Sequence, residues 1–299
     1  MISSGKGMKR GFISSLGLAC VLLVQTITAQ AWGDELSGAL LYKTRMPNLR
    51  SGVALIYDEH EQRPLFAKEA DNVVPIASIT KLMTAMVILD AHLPMDEKIT
   101  ITRADKDHYK GSRSRLRPGM TLTRGDLLRL ALMSSENRAA AALARTFPGG
   151  TAAVVAQMNF KAKALGMNDT HFIDPTGLHS DNVSTAYDLV KLVQAAQQYE
   201  QIRQATTSTS HIVDVGKRRQ MHFHNTNPLV RSAAWDIGLS KTGYISEAGR
   251  CLVMATRISQ RQVIMVLLDS WGRLSRVGDA NRIRHWMERA LGKIAITHS

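Results

Sequence analysis

Residues 238–268 read GLSKTGYISEAGRCLVMATRISQRQVIMVLL, and this stretch decides the fold. It divides into three short β-forming runs, 238–245, 251–258 and 263–268, joined by tight polar links. Links this short connect antiparallel neighbours, because a parallel pair needs a crossover of a dozen residues or more. Toward the C-terminus, residues 279–291 carry Ile283, Trp286, Met287, Ala290 and Leu291 at helical spacing. That is one packing stripe, and since it directly follows a strand it packs on the sheet. Toward the N-terminus, residues 51–57 (SGVALIY) read as a strand, Asp58-Glu59-His60-Glu61 as a turn, and Leu65-Phe66-Ala67 as a partner strand. Strands from both chain ends therefore compose one antiparallel sheet of five.

The segment between them is helical. Residues 78–91 carry Ile79, Leu82, Met83, Met86, Val87 and Leu89, too densely apolar for a surface helix, so this helix is expected to be central and buried. An insert over about 94–204 contains four further helices: 123–133 capped by Thr123, 138–146 rich in alanine, 151–165 ending at Gly166, and 185–199. The expected fold class is α/β in the α+β sense, an antiparallel five-stranded sheet flanked by helices with an inserted helical subdomain.

The first 31 residues have the form of an export signal. Lys6, Lys9 and Arg10 precede a mostly apolar run over 12–24, and Ala29-Gln30-Ala31 offers a cleavage site after Ala31. The run is short for a membrane span, which needs ~20 apolar residues. A lipoprotein reading of Cys20 is disfavoured, because Gly17 stands three residues before it and apolar residues continue past it. Removing 1–31 leaves residues 32–299 as the mature domain. It takes away three basic and no acidic residues of a chain with formal charge +13, and leaves Cys251 as the single cysteine, so no internal disulfide forms. Cys251 opens an apolar run and reads as a buried structural thiol. The remaining positive charge suits an acidic polymer. With basic residues scattered (Lys217-Arg218-Arg219 is one cluster) and only 5% aromatics, stacking platforms for nucleic acid are not expected.

Three short elements carry chemistry. Ser78-Ile79-Thr80-Lys81 opens the buried helix, where positions three apart share a face, so the Lys81 amine reaches the Ser78 hydroxyl. Serine needs a base to act as a nucleophile, and a lysine whose pKa is lowered by burial supplies one. Read alone, Ser78 is simply an N-cap, and Ser3-Ser4-Gly5-Lys6 matches the same pattern without meaning. Ser135-Glu136-Asn137 sits at the break between two insert helices, where a hydroxyl and a carboxamide can face a cleft. Ser180-Asp181-Asn182 competes with it but lies in a turn-rich stretch that local capping explains. Lys241-Thr242-Gly243 lies on a strand, where a cation and a hydroxyl suit a substrate carboxylate and glycine admits a close ligand backbone. No G-x-S-x-G elbow, H-E-x-x-H pair, phosphate loop or dinucleotide fingerprint is present, and His222-Phe223-His224 alternates as strand residues do.

In this order, with the first two elements 57 and the last two 106 residues apart, the set resembles the S-x-x-K, S-D-N and K-T-G signature of penicillin-binding proteins and class A β-lactamases, with Ser135-Glu136-Asn137 as the middle element. The strings PIASITKLMTA (75–85), DPTGL (174–178) and KTGYISEAG (241–249) are similar to D-alanyl-D-alanine carboxypeptidases and endopeptidases. The last string most resembles endopeptidases of the penicillin-binding protein seven type. Carboxypeptidase members usually carry a further β-domain and an amphipathic anchor, and this sequence ends soon after its packing helix.

The resemblance implies a serine DD-peptidase acting on peptidoglycan peptide stems through an acyl-enzyme. Ser78 would be nucleophile, Lys81 base and Ser135 proton relay with Lys241. Asn137 would hold the substrate amide, the N–H groups of Ser78 and Tyr244 the oxyanion, and Thr242 with Lys241 a carboxylate. Gly243 would give room, and Arg273 after the last strand would add a carboxylate contact. It implies no cofactor or metal, β-lactams as covalent inhibitors, and a periplasmic location, with peripheral membrane or wall association left open. The only glutamate between Asn137 and Lys241 is Glu200, outside the E-x-x-L-N loop that a β-lactamase of this kind uses for deacylation. A carboxypeptidase, a β-lactamase and a non-catalytic penicillin-sensing or wall-binding module remain the alternatives.

Overall fold

A computed structural model describes, apart from Met1, residues 46–215 and 219–297. The export signal with Cys20, and Lys217 and Arg218 of the basic cluster, lie outside the described residues. No helix among the described residues is long and apolar enough to cross a membrane.

The sheet has five strands in the order β2-β1-β11-β10-β9, every neighbouring pair antiparallel. These are β1 (Ser51–Asp58), β2 (Arg63–Lys68), β9 (Asp236–Ile245), β10 (Gly249–Ile258) and β11 (Arg261–Ser270). The first and last parts of the chain meet where β1 pairs β11, with Leu55 opposite Val266. The central strands are apolar almost without interruption because both faces are covered. On one face Val253, Ala255, Ile264 and Val266 pack into the larger core; on the other Leu252, Met254, Met265 and Leu267 pack with Ile283, Trp286 and Met287. Those last three belong to the C-terminal helix α7 (Ser275–Thr297), whose apolar stripe is the one legible in the sequence. Buried Asp279 ties this helix to the start of β1 by accepting Arg50 N, Ser51 N and Ser51 Oγ.

The larger core surrounds α1 (Lys81–Asp90), in which every residue but Asp90 is buried. The helix is entered through a 3-10 turn, Ala77–Thr80, rather than starting at Ser78. The insert helices are α2 (Arg124–Met133), α3 (Asn137–Arg145), α4 (Gly150–Ala164), α5 (Ala186–Ala196) and α6 (Glu200–Thr207). Thr123 caps α2 by accepting Asp126 N, and Gly166 leaves α4 with φ +70°.

Two short pairs brace the insert: β4 (Lys98–Thr100) with β5 (Thr121–Thr123), and β3 (Val74–Pro75) with β6 (Val183–Ser184). The helix expected over 185–199 instead ends at Ala196. Tyr199 adopts an extended backbone while its hydroxyl donates to Asp90 Oδ1, so the chain turns before α6 begins. A hairpin of β7 (Ser210–Asp214) and β8 (Gln220–His224) follows, including the alternating His222-Phe223-His224.

Candidate active site

Several separated segments meet at one cleft of 660 Å³. The 3-10 turn brings Ser78, the link from α2 to α3 brings Ser135 and Asn137, β9 brings Thr242, Gly243 and Tyr244, and the start of α7 brings Arg276. Ser78 is not a helix cap: the turn has no side-chain cap bond. Two residues beside the reactive hydroxyls hold left-handed backbones, Ala77 at φ +47° and Ser135 at φ +58°. Such conformations in residues with a Cβ cost of the order of 1–3 kcal/mol each and persist only where surrounding packing over-determines them.

That packing includes glycine at two contacts. A Cβ on Gly243 would stand 3.0 Å from both Ser78 N and Ala77 Cβ, so its absence lets β9 lie against the nucleophile turn. Gly177, at φ +76°, would place a Cβ 2.0 Å from Ala77 O. It belongs to the 174–178 loop, which Asp174 organises: its carboxylate accepts the backbone N–H groups of Thr176, Gly177 and His179. Asn182 locks this loop to the turn, donating to Thr80 Oγ1 and Asp174 O and accepting Ile173 N and Asp174 N. The competing Ser180-Asp181-Asn182 element is thus scaffolding, and the Ser180 hydroxyl donates to its neighbour Asp181.

Lys81 Nζ is 1% exposed as a residue and makes three contacts: Ser78 Oγ at 2.8 Å, Asn137 Oδ1 at 2.7 Å and Thr176 O at 2.5 Å. Burial lowers its pKa to about 7 against the partial opposition of Asp174, Glu136 and Asp107. Asn137 Oδ1 and Thr176 O only accept, so the two N–H bonds of a neutral amine go to them and its lone pair is left facing Ser78 Oγ. In that state the amine can accept a proton from the hydroxyl. Asn137 is oriented by its other end, Nδ2 donating to Ser112 Oγ at 2.9 Å.

Lys241, also buried, donates to Ser135 Oγ and to Thr242 O, both at 2.9 Å. Burial first, then Lys81 and Arg276, push its pKa well below the ordinary lysine value. Thr242 Oγ1 shares a hydrogen bond with Thr226 Oγ1 at 2.7 Å. Tyr244 is exposed, its ring stacked under Arg250 at 4.4 Å.

Of the residues singled out in the sequence, Ser78, Ser135, Asn137, Thr242, Gly243 and Tyr244 line the cleft, and Lys81 and Lys241 bond to its hydroxyls from beneath. Arg273 does not join them. It is exposed in the link between β11 and α7, and Arg276, three residues on, lines the cleft instead. Arg276 Nε and Nη1 are buried without a hydrogen-bond partner, and burial with the charge of Arg250 lowers its pKa, so the cleft has a cation with unsatisfied donors. Among the described residues no cluster of three metal-binding side chains occurs. Cys251 is buried, its pKa pushed up to about 12 by burial, away from nucleophilic use.

Comparison with known proteins gives concordant matches. A family model described as D-alanyl-D-alanine carboxypeptidase matches residues 42–272. A Pseudomonas aeruginosa protein named D-alanyl-D-alanine endopeptidase is 48% identical over 241 residues, covering 80% of this chain and 78% of that protein. An Escherichia coli protein of the same name is 47% identical over 243 residues, covering 81% and 78%. A crystal structure of a Streptomyces DD-transpeptidase superposes with a TM-score of 0.75 at 29% identity, over 82% of this chain and 99% of that one.

Proposed function

From the premise that the chain belongs to the D-alanyl-D-alanine carboxypeptidase family of serine peptidases, we propose that it is an endopeptidase cleaving D-alanyl cross-links between peptidoglycan peptide stems. The observation that carries the chemistry is the contact of Lys81 Nζ with Ser78 Oγ at 2.8 Å, with both other amine contacts made to oxygens that only accept. The endopeptidase assignment is supported by relatives of that name at 47–48% identity.

Ser78 Oγ attacks the carbonyl of the D-alanine before the scissile bond while Lys81 takes its proton. The N–H groups of Ser78 and Tyr244 hold the oxyanion, and Asn137 holds the amide of the donor stem. Ser135, bonded to Lys241, passes a proton to the departing amine. Thr242, Lys241 and Arg276 meet the carboxylate next to that amine. Water then cleaves the ester and restores Ser78. β-Lactams enter the same path and remain as adducts on Ser78. No cofactor takes part. Residues 1–31 direct the chain 32–299 to the periplasm, where its substrate lies.

Digestion of intact sacculi with the mature protein tests this reading. Cross-linked dimers should fall to monomers faster than D-alanine leaves pentapeptide stems, and Ser78→Ala should lose both this activity and covalent penicillin labelling. Efficient D-alanine release with the cross-links untouched would assign a carboxypeptidase instead.

A further inference from the structure

One wall of the cleft is a segment that the three catalytic strings do not include. Asp107 folds its start, accepting the N–H groups of Tyr109 at 2.7 Å, Lys110 at 3.0 Å and Ser112 at 2.6 Å. From there the side chains alternate. Ser112, Ser114 and Leu116 turn inward: Ser112 Oγ accepts Asn137 Nδ2 at 2.9 Å, Ser114 Oγ donates to the buried Glu136 at 2.6 Å, and buried Leu116 presents its carbonyl to Arg138 Nη1 at 2.6 Å. Arg113, Arg115 and Arg117 are exposed. Alternate residues lie at most about 7 Å apart along a chain, so these guanidiniums form a row anchored from behind. The row starts beside Ser112, which lines the cleft. Arg115 ties it to β8, donating from Nη1 to His222 O at 2.7 Å with its guanidinium 3.9 Å from the Phe223 ring centroid. Arg219, exposed just before β8, stands three residues up that strand, roughly 10 Å away. Two basic runs far apart in the sequence thus meet beside the cleft. Lys110, in the same wall, is paired with Glu247, but no carboxylate among the described residues pairs with Arg113, Arg115 or Arg117.

We propose that Arg113, Arg115 and Arg117 form a binding site outside the catalytic cleft for the carboxylates of peptidoglycan stems that neighbour the one being cut. The proposal rests on the reading that peptidoglycan is the substrate, and adds how the polymer is held. Peptide stems carry free carboxylates, and a guanidinium presents a planar fork that matches a carboxylate. One exposed pair of this kind contributes little, but a polymer repeats its stems, so several weak pairs act together once the first is made. An anionic bilayer would offer phosphates to the same guanidiniums. Interfacial segments, however, hold to bilayers with apolar side chains that insert, and the row carries none between its arginines that is not already buried. A bilayer on the row would also lie across the mouth of the cleft that the row borders, whereas a polymer in the cleft extends onto the row.

Binding of the mature Ser78→Ala protein to purified, insoluble sacculi is measured by co-sedimentation, so that no turnover intervenes. At low ionic strength Arg113→Gln combined with Arg117→Gln should weaken binding about fivefold, and adding Arg115→Gln should bring the loss to about tenfold. The side chains of Arg113 and Arg117 have no bonding partner among the described residues, so the double variant leaves the fold without a lost contact. Penicillin labelling of the same substitutions in the protein that keeps Ser78 verifies this. Converting the carboxyls of the sacculi to amides should erase the difference between parent and variants, whatever it does to binding in the cleft. Salt at 1 M should erase it too, because the screening length falls to about 3 Å. Equal binding of parent and variants to native sacculi, or a difference that survives amidation, overturns the proposal. Tighter binding of the parent to phosphatidylglycerol vesicles than to sacculi, lost with the same arginines, overturns it in favour of a bilayer. Binding by Ser78→Ala is indifferent to which bond is cut, so the endopeptidase assignment stands or falls separately, on the products of digestion.

Discussion

Acylation of Ser78 should titrate with Lys81, and the direction follows from the site. A lysine at its ordinary pKa of 10.5 keeps roughly 1 amine in 3,000 neutral at pH 7, whereas one at about 7 keeps about half. Burial therefore makes the base available by a factor on the order of 10³ at neutral pH. Only the neutral amine accepts the hydroxyl proton, so the second-order rate of acylation by a fluorescent penicillin should fall about tenfold per pH unit below 7 and level off above it. The negative charge of Glu136 raises the Lys81 pKa, so removing it with Glu136→Gln, which keeps an acceptor for Ser114 Oγ, should move the inflexion to lower pH. Stopped-flow labelling between pH 5 and 9, in wild type and variant, measures both. A flat profile, or an inflexion near 10, would refute the assignment of Lys81 as a base tuned by burial. An inflexion that Glu136→Gln moves upward would refute the electrostatic account.

Asn137→Asp, nearly isosteric, should place an anion on the Lys81 ammonium, raise its pKa and slow acylation at pH 7 by on the order of 10²-fold or more, with part of the loss recovered at higher pH. Gly243→Ala should slow acylation while leaving the thermal midpoint only a few degrees lower, because its Cβ would press on Ser78 N and Ala77 Cβ at 3.0 Å and shift the nucleophile by tenths of an ångström. Gly177→Ala should do worse in stability than in any single kinetic constant, losing several kcal/mol in a denaturant titration, since the added carbon overlaps Ala77 O and the backbone is left-handed. The penicillin adduct on Ser78 should persist for minutes or longer in intact-mass spectra. None of the described cleft-lining residues carries a carboxylate to activate water, and Glu200 is exposed at the start of α6.

The sheet was legible because its central strands are covered on both faces, so 251–258 and 263–268 show as unbroken apolar runs between polar turns. The candidate catalytic residues were legible because each sits in a short local string. What escaped is set by long-range contacts. Among the described residues of the hairpin strands, Val213 and Phe223 alone are buried, so the alternation showed only at His222-Phe223-His224 and the pairing of 210–214 with 220–224 did not. The break after Ala196 depends on Tyr199 finding Asp90, 109 residues away. Arg273 was named from the resemblance, by its place after the last strand, and the sequence reading, which began the helix at 279, did not single out Arg276. The helix begins at Ser275, and Val277, which packs with Ile283 and Trp286, extends the apolar stripe back far enough to have shown it. The 107–114 wall gave no signal at all, since its order comes from Asp107 accepting three backbone N–H groups and from Ser112 and Ser114 reaching the α2–α3 link.

The base is a product of what surrounds Lys81 more than of its place three residues after Ser78. A buried ammonium is normally kept charged by a carboxylate in contact. Here every contact atom is a neutral oxygen: a hydroxyl on the nucleophile turn, a carboxamide at the α2–α3 link and a carbonyl in the 174–178 loop. The carboxylates that influence the amine, Asp174, Glu136 and Asp107, are each engaged elsewhere, on loop N–H groups or on Ser114. The same three acids hold the walls that bring the neutral oxygens into place. Their negative charge is thus used to build the cavity from a distance at which it only partly offsets desolvation, leaving the lysine near neutrality, where a general base works best. A spacing of three residues occurs in Ser3-Ser4-Gly5-Lys6 as well, so the spacing alone does not make a base; at the turn over 77–80 the distant oxygens do.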